Sequence, residues 1–473
     1  MSDRHVFVSG NFFVLHPGHI RFLKFASEIG DKLTIGVRPT RPTERYPSVE
    51  ERIDALKAIG IATEVVSISD GLDVMLRRLK PDVVVKGKEY ESSPNPETSL
   101  LSEWGGELIF SSGESTYSGL DPNLEQLATS QSLNLVRPAE FARRRDCDLD
   151  SLLGLIDRFE KLRVIVLGDT IVDEYVSCDA LGMSREDPTI VVSPRQTDRY
   201  VGGAGIVAAH ASSLGASTSF FSIVGNDQAA DFVNQRLSAY GVFARLLPDE
   251  SRPTTLKRRY RCEGKTLLRV SDLRQHEASE ALQQQLHHEL SESIKSADVL
   301  IFSDFNYGCL PQRLVDQMTV LAKQRGCVLA ADSQSSSQLG DISRFKGMHL
   351  ITPTEHEARV ALKDQLSGLS TLGRQLLERS NSHGALITLG ASGVLVVDRH
   401  DSVVEHDRIP ALNRAPSDVS GAGDSLLVTA ALTLACGGSL HQAAYLGSFA
   451  AAIQTSRTGN IPIAREELKR VIH

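Results

Sequence analysis

The sequence predicts two α/β domains in tandem, each on a parallel sheet, the second with a small antiparallel lid. Three observations predict it. Short Val/Ile/Leu runs alternate with helix-period segments twice along the chain, the pattern of strands covered by helices on both faces. Glycine-rich turns precede helix-like segments at 10–19 and 418–424. Two stretches, Thr189–Tyr200 and Thr254–Val270, alternate β-branched and polar residues with no helix between, as antiparallel strands do.

A chain of 473 residues exceeds what one hydrophobic core usually supports. Its composition, 41% hydrophobic and 23% charged, is that of folded protein. A net charge of -8 leaves no basic field for nucleic acid or an anionic membrane, so phosphate must be gripped locally. The six cysteines are scattered without a C-x-x-C pair, which fits a reducing compartment. The opening residues read as a strand rather than a secretory signal, and the apolar stretch Leu426–Cys436 is too short to span a bilayer. A cytoplasmic protein is expected, with no membrane or nucleic-acid partner.

In the first domain, expected over 1–122, strands are predicted at Val6–Ser9, Leu33–Val37, Thr63–Ile68, Asp82–Val85 and Glu107–Phe110. Helices are predicted at Ile20–Ile29, Val49–Ile59, Gly71–Leu79 and Glu97–Trp104. Residues 123–158 read as a polar linker whose arginines at 143–145 form a solvated surface. The second domain, 159–473, has strands at Val164–Leu167, Ser219–Val224, Val299–Asp304, Val328–Asp332, His349–Thr352, Ala385–Leu389 and Val394–Val397. The lid strands leave open edges, so pairing of two lids into a homodimer is expected.

Gly10-Asn-Phe-Phe-Val-Leu-His-Pro-Gly-His19 follows the first strand and opens the first helix. Two imidazoles, His16 and His19, converge there on a helix N-terminus, where backbone N–H groups and the dipole attract anions. Nucleotidyl transfer needs positioning and charge neutralisation at the α-phosphate rather than a side-chain nucleophile. The segment resembles the signature of the HxGH nucleotidyltransferase superfamily, which includes cytidylyltransferases and pantetheine-phosphate adenylyltransferase. The likeness extends through Gly30-Asp31, Glu51-Arg52, Lys86-Gly-Lys-Glu-Tyr90 and Ser115-Thr-Tyr-Ser118. It implies a Rossmann-like fold in which His16 and His19 stabilise the transferring phosphate. Gly10, Phe12 and Gly18 would line the nucleotide phosphates, Arg52 and Lys86 would add positive charge, and Ser115 and Thr116 would hold phosphate oxygens. Phe13 stands where that family usually has Asp.

Asp418-Val-Ser-Gly-Ala-Gly-Asp424 precedes a small-residue helix. Gly421, Ala422 and Gly423 would present backbone N–H groups to a phosphoryl group, and Asp424 in the first turn could take a proton from an attacking hydroxyl. The bland alternative is a carboxylate that complements the helix dipole. The run resembles the G-A-G-D signature of ribokinase-like (PfkB) sugar kinases, and the likeness covers essentially Leu162 to the C-terminus. It implies sugar binding by Asp169, Asp173, Gly202, Gly203 and Asp304, and nucleotide binding by Thr388, Gly390 and Gly393. Glu357 would order Mg²⁺ through water, and ATP would be the phosphoryl donor.

Leu167-Gly-Asp-Thr-Ile-Val-Asp173, Ser303-Asp-Phe305, Leu350-Ile-Thr-Pro353 and Lys86–Tyr90 together resemble a bifunctional heptose 7-phosphate kinase and heptose 1-phosphate nucleotidyltransferase family, of the type that makes ADP-heptose for lipopolysaccharide. There the kinase comes first; here the order is inverted. Ile206, Ser271, Tyr307, Gln334 and Thr354 replace polar or charged residues of that pattern. The swaps imply either another phosphorylated sugar or a kinase-like domain that only binds ligand. A nucleotidyltransferase using CTP and a polyol phosphate is the competing reading, so the second nucleotide is ATP or CTP. Lys257, Arg258, Arg259 and Arg261 cluster on the lid, where one or two could hold a sugar's distal phosphate while the rest are solvated.

Overall fold

The computed structural model describes residues 4–12, 17–39, 48–87, 95–111, 135, 138–184, 186–187, 189–262, 265–334, 340–400, 403–413 and 415–472. The chain forms two compact units, Met1–Gln131 and Ser132–His473.

The first unit is a five-stranded parallel sheet. In space the strands run Glu64–Ser67, Lys32–Val37, His5–Gly10, Val83–Gly87, Glu107–Ser111. The central strand buries Val6, Phe7 and Val8 completely. Its alternate side chains serve two faces: Val6 and Val8 join one apolar cluster with Leu23, while Phe7 joins another with Leu76 and Leu101. Helix Val49–Ile59 starts with a reciprocal Ser48/Glu51 capping box and stops at Gly60, whose φ of 71° suits glycine. The helix expected to reach Trp104 ends at Leu101, and turns carry the chain into the next strand.

The second unit carries a nine-stranded sheet. Its spatial order is Phe243–Pro248, Ser217–Val224, Arg163–Gly168, Val299–Asp304, Val328–Ser333, Leu350–Ile351, Gly384–Thr388, Val394–His400, Val403–Ile409. All pairings are parallel until the last two strands, which turn antiparallel. Val164 and Val166 face one core, Ile165 and Leu167 the other. The helices Ala422–Ala435 and Leu440–Thr455 are buried almost throughout, which explains their small-residue, all-round apolar composition.

The lid is a separate four-stranded sheet ordered Lys265–Asp272, Thr255–Cys262, Thr170–Met183, Ile190–Gly203. The long strand Thr170–Met183, which the sequence reading did not assign to the lid, is one of its two central members. Every residue of the edge strand Lys265–Asp272 is exposed.

The stretch expected to be a linker is in part folded. Helices Ala139–Arg144 and Leu149–Arg158 place Phe141, Leu152, Leu155 and Ile156 in the core of the second unit, which therefore begins before 159. Two of the three arginines are ion-paired: Arg144, still exposed, and Arg145 bind Asp407 at 2.8 and 2.6 Å, and Arg145 also binds Glu405 at 3.0 Å.

Candidate active sites

In the first unit Gly10 ends the central strand, and helix Pro17–Glu28 begins within the histidine segment. A side chain at Gly10 would lie 2.8 Å from the Phe12 ring, so that ring packs over bare backbone. Phe12 is itself buried, at a φ of 50° that costs a non-glycine residue strain. It meets the His19 ring edge-on, centroids 5.3 Å apart, and so fixes the plane of that imidazole. His16, Phe13, Ser115 and Thr116 lie outside the described residues, as do Lys88, Glu89 and Tyr90.

The two cations expected to serve phosphate also hold protein groups. Arg52 is 2% exposed, and its guanidinium donates to the carbonyls of Asn11, Arg38 and Ser48. It ties the turn after the first strand to the turn after the second. Lys86 Nζ donates to Asn95 Oδ1 at 2.8 Å and Glu97 Oε1 at 3.0 Å. It anchors the start of helix Glu97–Leu101.

In the second unit the run 418–424 sits at the start of helix Ala422–Ala435. Gly421 caps it with a φ of 75°, and a side chain there would stand 2.5 Å from Asn460 Oδ1. Glycine is required on both counts. Asp424, in the first turn, is buried, and its Oδ1 has no hydrogen-bond partner among the described residues. Burial, then the nearby charge of Asp173, pushes its carboxyl up to about 7, with Glu357 adding and Lys257 opposing. Asp332 is pushed well above the ordinary carboxylate range by burial and by Glu357 and Asp424. The sequence reading had passed over Asp332.

Two glycines shape the sugar side. A side chain at Gly202 would lie 2.3 Å from Asp173 Oδ2, and one at Gly203, φ 58°, 2.5 Å from the Asp169 carbonyl. Asp173 is paired with Arg259 from the adjoining lid strand. Lys257, two residues earlier, lies over the rings of Phe305 and Tyr307 at 5.4 and 5.3 Å. The lid thus brings a cation toward Asp424 where the sequence at 307 lacks one.

Asp169 and Asp304, expected to bind sugar, both accept hydrogen bonds from protein groups and are buried. Asp169 accepts the N–H groups of Phe305 (2.8 Å), Tyr307 (3.2 Å) and Cys309 (3.1 Å), and so caps the turn after the fourth strand in space. Its carboxyl is raised by burial and by Asp304. Asp304 accepts from Ser333 Oγ (2.8 Å), Arg344 (2.9 Å) and the Asn306 N–H (3.0 Å). Both carboxylates hold the floor of the site.

Thr388, Gly390 and Gly393 lie at the turn between strands Gly384–Thr388 and Val394–His400. The Thr388 N–H donates to Pro353 at 2.9 Å, placing the turn beside helix Glu355–Leu362. A side chain at Gly393, φ 92°, would meet the Ile409 carbonyl at 2.0 Å. Glu357 closes a capping box with Thr354, so the threonine found in place of asparagine still starts that helix. Ile206 is fully buried in the core and Ser271 lies on the exposed lid edge. Among the described residues no three His, Cys, Asp or Glu side chains form a direct ligand set for a metal ion, and no helix is long and apolar enough to cross a membrane.

Residues 161–466 match the family model described as pfkB family carbohydrate kinase, and residues 7–108 the one described as cytidylyltransferase-like. The nucleotidyltransferase-like region therefore precedes the kinase. Among curated proteins the chain is similar to the bifunctional protein HldE of Desulfatibacillum aliphaticivorans, 34% identical over 66% of this chain and 64% of that protein. The HldE of Pseudomonas syringae pv. tomato is 32% identical over 67% and 64% respectively. The match spans just under two thirds of these relatives' own length. Among solved structures, phosphofructokinase-2 from Escherichia coli in complex with substrates and products gives a TM-score of 0.55 at 16% identity, covering 66% of this chain and 98% of that one. Arabidopsis thaliana ribokinase complexed with ribose and ATP gives 0.51 at 17%, with the same coverage. These two show the fold alone.

Proposed function

We propose that this chain, which belongs to the pfkB family of carbohydrate kinases, is a bifunctional sugar-phosphate kinase and sugar 1-phosphate nucleotidyltransferase that makes a nucleotide-activated heptose or a related sugar. One observation carries the kinase half: a buried carboxyl, Asp424, with an unpartnered oxygen and a raised proton affinity, in the first turn of a helix opened by a left-handed glycine.

In the kinase step a sugar hydroxyl attacks the γ-phosphorus of ATP. The new O–P bond forms as the bond to the β-phosphate oxygen breaks, ADP leaves, and the hydroxyl proton passes to Asp424. Backbone N–H groups at 421–423 meet the negative charge of the transferring group. Asp173 and Gly202 hold the sugar, and Thr388, Gly390 and Gly393 line the nucleotide. The crowding of Asp332, Glu357 and Asp424, in which Glu357 raises the proton affinity of the other two and Asp424 adds to that of Asp332, suits a divalent cation nearby. Mg²⁺ would be held mainly by the ATP phosphates, with Glu357 reaching it through water, and would neutralise phosphate charge.

In the first unit a sugar 1-phosphate oxygen attacks the α-phosphorus of ATP or CTP and pyrophosphate leaves. His16 and His19 would stabilise the transferring phosphate, with Phe12 holding the His19 ring. A kinase that phosphorylates a sugar already carrying a phosphate yields a bisphosphate, so a phosphatase must act between the two steps. The exposed edge strand of the lid, with Leu267, Leu268 and Val270 at 40, 56 and 42% exposure, favours a homodimer through that sheet. Six unpaired cysteines favour the cytoplasm.

Two assays test this reading. ATP consumption is followed with D-glycero-β-D-manno-heptose 7-phosphate and a panel of hexose phosphates. Pyrophosphate release is followed with each of four nucleoside triphosphates and heptose 1-phosphate. No turnover with any sugar removes the kinase; no pyrophosphate with any nucleotide removes the transferase.

A further inference from the structure

Between the sugar glycines and the phosphate loop stands Asn460, which the motifs leave out. It lies beyond helix Leu440–Thr455 and is 6% exposed. Its Nδ2 donates to Asp173 Oδ2 at 3.4 Å and would stand 3.6 Å from a side chain at Gly202. A carboxylate only accepts, so the amide nitrogen must face Asp173 and Oδ1 must face the other way. On that side Oδ1 points at Gly421, 2.5 Å from where a side chain would begin. This buried oxygen has no hydrogen-bond partner among the described residues.

A buried amide oxygen left unbonded costs about 1–3 kcal/mol, so its retention calls for a donor that arrives from elsewhere. The donors nearby do not supply one. Gln454 spends its own NH₂ on the carbonyls of Ser420 and Gly459. The guanidinium of Arg259 is turned to Asp173. Asp424 Oδ1, on the same helix start, is buried and unpartnered too. Two acceptors without donors thus flank the glycine turn that would receive the phosphoryl group.

We propose that Asn460 is a substrate-specificity residue whose Oδ1 accepts a hydrogen bond from a sugar hydroxyl neighbouring the one that is phosphorylated. Asp173 and Asn460 then read two adjacent hydroxyls as a pair, the carboxylate one and the amide oxygen the other. The ligand class is a sugar phosphate with a vicinal diol at the phosphorylated end. The inference rests on the sugar-kinase reading of this unit.

Calorimetric titration with D-glycero-β-D-manno-heptose 7-phosphate tests it, because binding does not require turnover. A parallel titration uses a non-hydrolysable ATP analogue, and a thermal melt checks folding. For Asn460→Leu the sugar phosphate Kd should rise roughly 10- to 100-fold, the loss of one buried hydrogen bond, while the nucleotide Kd stays within twofold. Asn460→Thr, which keeps an acceptor oxygen, should recover part of the loss. A sugar Kd unchanged in Asn460→Leu overturns the assignment, as does a nucleotide Kd that rises equally, since that is the mark of a merely structural amide. Binding that responds as expected without ATP turnover in the wild type sinks the kinase reading and leaves the assignment standing. No binding by the wild type sinks both.

Discussion

Replacing Asp424 with Asn should weaken catalysis and strengthen the fold at the same time. The carboxyl is nearly inaccessible, and burial with the Asp173 and Glu357 charges pushes it up to about 7 from an ordinary 3.8. At ~1.4 kcal/mol per pH unit, that gap amounts to ~4 kcal/mol of strain when the group is ionised in the folded protein. A raised carboxylate is favoured when protonated, so the wild type loses this stability as pH rises from about 4 through about 7. Asn cannot ionise and escapes the loss. At pH 8.5 the variant should melt on the order of 5–10 °C above the wild type, and at pH 5.5 the difference should fall to about half. Kinase turnover should fall roughly 10²- to 10⁴-fold, the usual share of a general base. Wild-type kcat/KM should itself rise with pH up to about 7 and then level off. Differential scanning calorimetry at the two pH values, with a coupled ADP assay, gives every quantity. A variant no more stable than the wild type at pH 8.5, or one with wild-type turnover, refutes the account of this site.

Gly421→Ala puts a methyl 2.5 Å from Asn460 Oδ1 on a left-handed backbone, so kinase kcat should drop at least roughly 10²-fold in steady-state assays. Arg52→Met removes three bonds from one buried cation to backbone carbonyls. The first unit should lose ~3 kcal/mol in urea melts, and pyrophosphate release should fall while kinase turnover is kept. Leu268→Asp puts a charge on the exposed lid edge; light scattering should show the assembly falling to monomers, whereas an unchanged mass would place the dimer contact elsewhere.

The architecture was legible because parallel sheets leave continuous apolar runs, and each central strand of both units lies where such a run stands in the sequence. Strands at the rim were harder to see. Phe243–Pro248 and Val403–Ile409 are half exposed and mix charges with apolar residues, so no run marks them. The long lid strand Thr170–Met183 was hidden because it buries its first half on both faces, with none of the alternation that betrayed its partners. At the sites, glycines could be read from their neighbours: positive φ and close approach explain Gly203, Gly393 and Gly421 directly. The surroundings of Asp169 and Asp304 could not. Whether Asp169 and Asp304 meet a sugar or hold a turn depends on which N–H groups lie opposite, and no spacing records that. Lys257 and Asn460 stand far from the motifs in sequence, and only the pairing of lid strands and the packing of the last helices bring them in.

The helices that precede the second sheet bear on how such a protein can be rearranged. Phe141 stacks on Tyr445, and Phe159, Leu152 and Leu155 share one apolar mass with the innermost helices. The seam along which a gene could be cut and rejoined thus runs upstream of these helices, near Ser132, and not at the first strand of the kinase sheet. A fragment starting at 159 would leave that mass bare to water, whereas one starting at 132 takes its own cover along. Shuffling of such units into a new order is tolerated where each unit takes its own core with it.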